Sequence, residues 1–176
     1  MTNDNKHLLG GIGKFNSIVI PNTIETIADS AFRDNELTNI TIPNTVQELG
    51  NFSFMQNKLT KIIIPESITS IGKSTFFNND ISLLVIPKSV QAIGNNAFAS
   101  NSLTSITIPE SVVVIGDRAF QCNQLTRITI PESVIQIGED AFSCNYQLSS
   151  VHILGDSTRF NDVWEEIGFP IDLKPE

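Results

Sequence analysis

The chain has 176 residues, 40% of them hydrophobic and 17% charged, a composition that folds rather than one that stays disordered. Its net charge of −8 argues against nucleic acid, which needs a basic face, and against an anionic membrane surface for the same reason. No stretch reaches the roughly 18 continuous apolar residues of a membrane span, and two cysteines make no disulfide framework.

Taken in chain order, residues 1–13 are Gly-rich and carry no amphipathic face, so they read as an N-terminal extension or partial cap, with Leu8-Leu9-Gly10-Gly11-Ile12 as a minimal plug. They lack the basic start and apolar run of a secretory signal. The expectation is a cytoplasmic location if the chain is complete, and an extracellular or cell-surface one if it is a fragment of a secreted protein.

Residues 14–154 repeat. Ile-Pro recurs at Ile20-Pro21, Ile42-Pro43, Ile64-Pro65, Ile86-Pro87, Ile108-Pro109 and Ile130-Pro131, always 22 residues apart. Phe32, Phe54, Phe76, Phe98, Phe120 and Phe142 keep the same beat, as do Asn35, Asn57, Asn79, Asn101, Asn123 and Asn145. The period slips by one near Tyr146. A fixed period of this length is the signature of a solenoid.

Within a unit, Leu-x-x-Ile-x-Ile ends in alternation, which predicts a short strand with Ile106 and Ile108 on one side and Ser105 and Thr107 on the other. Pro109, with no N–H, stops the strand. Val112 and Ile115 return a second apolar edge. The glycine that follows (Gly50, Gly72, Gly94, Gly116, Gly138, with Ala28 as the exception) suggests a corner at positive φ. Ala119 and Phe120 then close the turn in a short helical or 3₁₀ segment. One unit buries too little to offset its own backbone entropy, so the coils must stack, with their strands in parallel.

Residues 155–176 read as a helical cap and tail. Phe160, Val163, Trp164 and Ile167 fall on one helical face, Ser157 or Thr158 can cap its start, and Gly168 with Pro170 stops it.

The recurring Leu-x-x-Ile-x-Ile-Pro, Val-x-x-Ile-Gly and Ala-Phe, with a polar residue three beyond the Phe, resembles the BspA-like (Treponema-type) leucine-rich repeats over about Phe15 to Leu154. In that family the position three after Phe is usually Cys; here it is Asn in all six copies. The resemblance implies a leucine-rich-repeat right-handed superhelix with a parallel sheet on the concave face, short second extended segments, and 3₁₀ or helical turns elsewhere. It also implies a secreted or surface-attached protein that adheres to host or matrix proteins.

Candidate binding residues come from the variable strand positions, because the repeated ones carry the stack. The rows run Ser17, Asn39, Lys61, Leu83, Ser105, Arg127, Ser150 and Val19, Thr41, Ile63, Val85, Thr107, Thr129, His152. Ile63, Leu83 and Val85 form an apolar spot flanked by Lys61, with Arg127 the other cation; β-branched residues also simply suit strands. The Asn column reads as structural. Glu110 with Glu132, and Asp117 with Glu139, stack as carboxylate pairs, but two oxygen donors per level are thin for Ca²⁺, so neither metal nor cofactor is expected. Cys122 and Cys144 are repeat-equivalent, and parallel stacking favours free thiols over a bridge. His7 and His152 sit at opposite ends, which excludes a His-based triad or a His-rich metal site in this chain. The expectation is therefore a monomeric module that is not an enzyme, has a protein or glycan ligand and no nucleic-acid partner, and does not insert into a membrane. The alternative is a non-catalytic scaffold or spacer of a cytoplasmic or larger multidomain protein.

Overall fold

The computed structural model describes residues 6–10 and 16–175. Phe15 and the Gly11-Ile12 end of the plug lie outside the described residues. In chain order the strands are β1 (His7–Leu8), β2 (Ser17–Val19), β3 (Thr26–Ile27), β4 (Asn39–Thr41), β5 (Glu48–Leu49) and β6 (Lys61–Ile63). They continue as β7 (Ser70–Ile71), β8 (Leu83–Val85), β9 (Ala92–Ile93), β10 (Val114–Ile115), β11 (Arg127–Ile130), β12 (Gln136–Ile137) and β13 (Ser150–Ile153). All paired strands are parallel, and the molecule is a leucine-rich-repeat solenoid of about six turns.

Two faces alternate. The Leu-x-x-Ile-x-Ile segments form the first, paired as β2–β4, β6–β8 and β11–β13. The Val-x-x-Ile segments form the second, in the orders β1–β3–β5 and β7–β9–β10–β12. The extension thus contributes a partial coil through β1, where His7 pairs with Thr26 and Lys6 bridges Glu25 at 2.8 Å. Seven strand positions were expected on the first face. Residues 105–108 form no strand, and pairing also lapses between β4 and β6. The one-residue slip is absorbed at Tyr146, which is 91% exposed, so Arg127 pairs with Ser150 in the shifted register.

Each Pro starts a turn as well as ending a strand. The amide of Val112 donates to the Pro109 carbonyl at 3.0 Å, and every coil repeats that bond. The inward Ile, Leu and Val residues are buried except Ile18, Leu84, Ile106 and Val151, which are half-buried, and the six Phe side chains are fully buried. Their rings stack in one column at centroid spacings of 5.3 to 5.6 Å, inside the range that favours aromatic pairs.

The corners differ from the expectation in two ways. They are overlapping turns rather than 3₁₀ or helical segments: among the described residues, 3₁₀ helix occurs only at Asn161–Val163 and Ile171–Leu173. And positive φ falls not on the glycines but two and six residues later, on Ser30 and Asp34, Phe52 and Gln56, and so on to Asp140 and Cys144, at 52° to 59°. Those left-handed residues rotate every second peptide so that its N–H points at the next coil. Asn96, Phe98 and Ser100 donate to the carbonyls of Asp117, Ala119 and Gln121 at 2.8 to 2.9 Å. The glycines are needed for close approach instead. A Cβ on Gly116 would lie 2.4 Å from Asn95 Oδ1 and 2.8 Å from the Gly94 carbonyl carbon.

The C-terminal segment caps the stack, but not as the expected helix. Phe160, Trp164 and Ile167 are buried as predicted, whereas Val163 is 37% exposed. Asp156, not Ser157 or Thr158, accepts the capping bonds, from the Thr158 amide at 2.9 Å and its hydroxyl at 2.7 Å. Gly168 at φ 89° then reverses the chain and carries Phe169 onto Phe142 at 5.0 Å, a seventh ring in the column. A continuous helix could not make that reversal. Arg159 fastens the segment by donating to the carbonyls of Pro131, Glu132 and Val134. Replacing it (Arg159→Ala) should cost about 1–2 kcal/mol, since charged donors contribute more than neutral ones but this one is partly solvated. Limited proteolysis should then cut first within residues 155–175; an unchanged cleavage pattern would refute the clamp.

Candidate functional site: the strand face between two sheet breaks

The first face is built by alternation: Ile62 is 1% exposed while its neighbours Lys61 and Ile63 point outward. Pairing of β6 with β8 sets Lys61 beside Leu83 and Ile63 beside Val85. Ile63, Leu83 and Val85 are 51%, 50% and 45% exposed. Neighbouring strands lie about 4.8 Å apart, so the three side chains form one contiguous exposed apolar cluster. Elsewhere the row pairs are polar, and Val19 faces Thr41.

The structure thus brings four of the five candidates together. Arg127 stands apart on β11, separated from β8 by the unpaired segment 105–108. The two breaks bound the cluster. On one side a groove of about 360 Å³ runs between β4 and β6 past Asn39, Thr41, Lys61 and Ile63. Another of about 590 Å³, lined by Ile86, Lys88, Ile106, Thr107 and Glu110 among others, opens where coil five fails to pair.

The face has its own electrostatics. Both outward strand rows, and the row just before them (Asn16, Thr38, Thr60, Ser82, Thr104, Thr126, Ser149), carry no carboxylate in a chain with 19 of them. Lys61, Arg127 and His152 are its ionisable groups, and the acids begin beyond the prolines at Glu66, Glu110 and Glu132. Hydroxyls in the preceding row donate to the coil before, as Thr38 does to Asn16 and Ser149 to Thr126.

The Asn column is structural. Asn101 Nδ2 donates to the Phe76 and Phe98 carbonyls at 3.0 and 3.1 Å, and its Oδ1 accepts from the Ile81 amide at 3.0 Å. A second side-chain ladder escaped the sequence reading. Asp29, Asn51, Asn95 and Asp117 each accept, through Oδ1, the amide of the equivalent residue one coil on. An Asx recurring directly after the Gly position was the available signal. Asp117, considered above for Ca²⁺, spends its carboxylate on Glu139 N and Asn95 Nδ2. Among the described residues no group of three or more His, Cys, Asp or Glu is placed to hold a metal ion.

Cys122 and Cys144 are both free thiols. Burial, with Cys144 beside it, pushes the Cys122 thiol up to about 11. Cys144 is held below the usual thiol value, first by the Tyr146 hydroxyl and then by Cys122, and Tyr146 is raised in return.

No helix among the described residues is long and apolar enough to cross a membrane. Among curated proteins, none matches the chain. Among solved structures, it is similar to a leucine rich cell surface protein from Faecalibacterium prausnitzii, with 26% identity and a TM-score of 0.65 over 89% of this chain and 52% of that one. It spans about half the length of that protein. It is also similar to a leucine-rich repeat protein from Bacteroides ovatus (30% identity, TM-score 0.48, 77% of this chain, 33% of that one). A third is a leucine-rich repeat protein from Eubacterium ventriosum (21%, 0.46, 80% and 54%). The family model for the BspA type leucine rich repeat region matches in six copies across residues 6–84 and 51–163. With the repeat, the stacked coils and this match in agreement, the chain belongs to the BspA-type leucine-rich repeat family.

Proposed function

We propose that the chain is a protein-binding module of a bacterial surface protein and acts by adhesion to a host or matrix protein rather than by catalysis. The observation that carries this is the contiguous exposed cluster Ile63, Leu83 and Val85 on paired strands, with Lys61 beside it on a face free of carboxylates. Exposed apolar clusters rimmed by polar groups mark interaction sites. The charge of the face favours a ligand that offers an apolar side chain flanked by Asp or Glu, with Arg127 engaged only by a footprint long enough to cross coil five. The similarity to a cell surface protein supports the surface location.

The test is surface plasmon resonance of the immobilised chain against a panel of purified extracellular-matrix proteins. The double variant Leu83→Glu with Val85→Lys should lower affinity for any ligand found about 30-fold, the effect of losing a binding hot spot, with an unchanged circular dichroism spectrum. Unchanged affinity would sink the site. An absence of any ligand for the wild-type chain would instead favour the spacer reading.

A further inference from the structure

Coil five is held on its second face and at its corner, and open on its first. On the second face Val114 of β10 pairs with both Ala92 and Gln136. At the corner the amides of Asn96 and Phe98 reach into coil five, and those of Arg118 and Phe120 into coil six, at 2.8 to 2.9 Å. Phe120 stacks between Phe98 and Phe142. The first-face segment is fixed only at its two ends, where the Thr126 amide donates to the Thr104 carbonyl and the Val112 amide to the Pro109 carbonyl. Between them, among the described residues, no hydrogen bond reaches a backbone group of residues 105–108.

Packing loosens at the same place. Where β4 and β6 fail to pair, both strands persist and the inward Ile40 and Ile62 stay buried. At coil five there is no strand, and the inward Leu84 and Ile106 on either side of the gap are both half-buried. The groove of about 590 Å³ is walled by Ile86, Ile106 and Ile108, so solvent reaches side chains that elsewhere belong to the core. Unpaired peptides and thin apolar cover mark the segment of lowest local stability. Unbroken pairing on the opposite face supplies an axis about which two packed blocks can turn. We infer that coil five is a hinge: the first face opens and closes there, while β9, β10, β12 and the corner ladder hold the two halves together. For the adhesion proposed above, on which this consequence rests, the hinge sets the reach from the Lys61 cluster to Arg127. A ligand engaging both must fix the joint in one position.

Amide hydrogen exchange of the free, isotope-labelled chain, read residue by residue by NMR, tests the opening without any ligand, so its outcome is independent of the adhesion reading. N–H groups alternate sides along a strand. The Val85 carbonyl accepts from Ile64 and the Ile130 carbonyl from Leu154, so Leu84, Ile86, Arg127 and Thr129 direct their amides at coil five. Those four amides and residues 105–108 should exchange about 100-fold faster than Val85, Ile128 and Ile130, whose amides face paired strands. Ile106 and Ile108 amides as protected as those of Ile128 and Ile130 would overturn the opening. The motion itself is read by pulsed electron paramagnetic resonance in a Cys122→Ser, Cys144→Ser background. Spin labels at Ile63→Cys and Thr129→Cys straddle the gap, and labels at Thr69→Cys and Ile135→Cys span the same three coils on the paired second face. The first-face distance distribution should be about twice as broad; equal widths would mean a rigid gap and overturn the hinge.

Discussion

Asn101→Ala should lower the stability of the stack by about 2–3 kcal/mol in chemical denaturation. The side chain is 7% exposed and closes two coils at once. Truncation leaves the buried Ile81 amide without its acceptor, and takes one of two amide donors from each of the Phe76 and Phe98 carbonyls, which keep Asn79 and Asn123. Each orphaned buried group costs about 1–3 kcal/mol, more than the net value of the bond itself. Asn101→Asp should be worse than alanine, since a carboxylate would face those carbonyls with no N–H to offer. Equal stability of Asp and Asn variants would show that the amide is not the donor the geometry makes it.

Gly116→Ala should cost about 2–3 kcal/mol, in the range for overpacking a site that cannot give. The added methyl meets Asn95 and the Gly94 backbone below 3.0 Å, and the Asn95 side chain is committed to Asp117. This separates two explanations for the repeated glycine. If a left-handed backbone were the reason, asparagine, which tolerates that conformation, would be the mildest replacement. If close approach is the reason, Gly116→Asn should be more damaging than Gly116→Ala. Urea midpoints of the two variants decide the matter.

The strand rows, the Phe column and the Asn column were legible because each is a repeated side chain whose burial follows from period and polarity alone. The corners were not. Their left-handed positions hold Ser, Phe, Ser, Asn, Arg and Asp at one site, with no glycine to betray them. The Gly beside them drew the conformational argument to the wrong residue. In the cap, the spacing of Phe160, Trp164 and Ile167 located the buried face, but the demand of Phe142 for another ring above it set the backbone. The apolar cluster could be listed from the rows, and its neighbours could not. Ser105, Ile106 and Thr107 look like any other copy, so the break that isolates Arg127 from Lys61 carries no local mark.

The corner ladder has a consequence that belongs to the molecule as a whole. At each of five junctions three peptide N–H groups point toward the C-terminal end, and none of these bonds runs the other way. Peptide dipoles aligned head to tail add along an axis, as they do in an α-helix. One edge of the solenoid is thus a macrodipole, and its positive pole lies at coil six. There the cap meets it with the carbonyls of Glu166 and Ile167, which receive Asp140 and Phe142, and with two exposed carboxylates, Glu165 and Glu166. The terminal segment is therefore an electrostatic counterpart to the stack as well as a lid on its core, and each added coil would lengthen the aligned column that it has to meet.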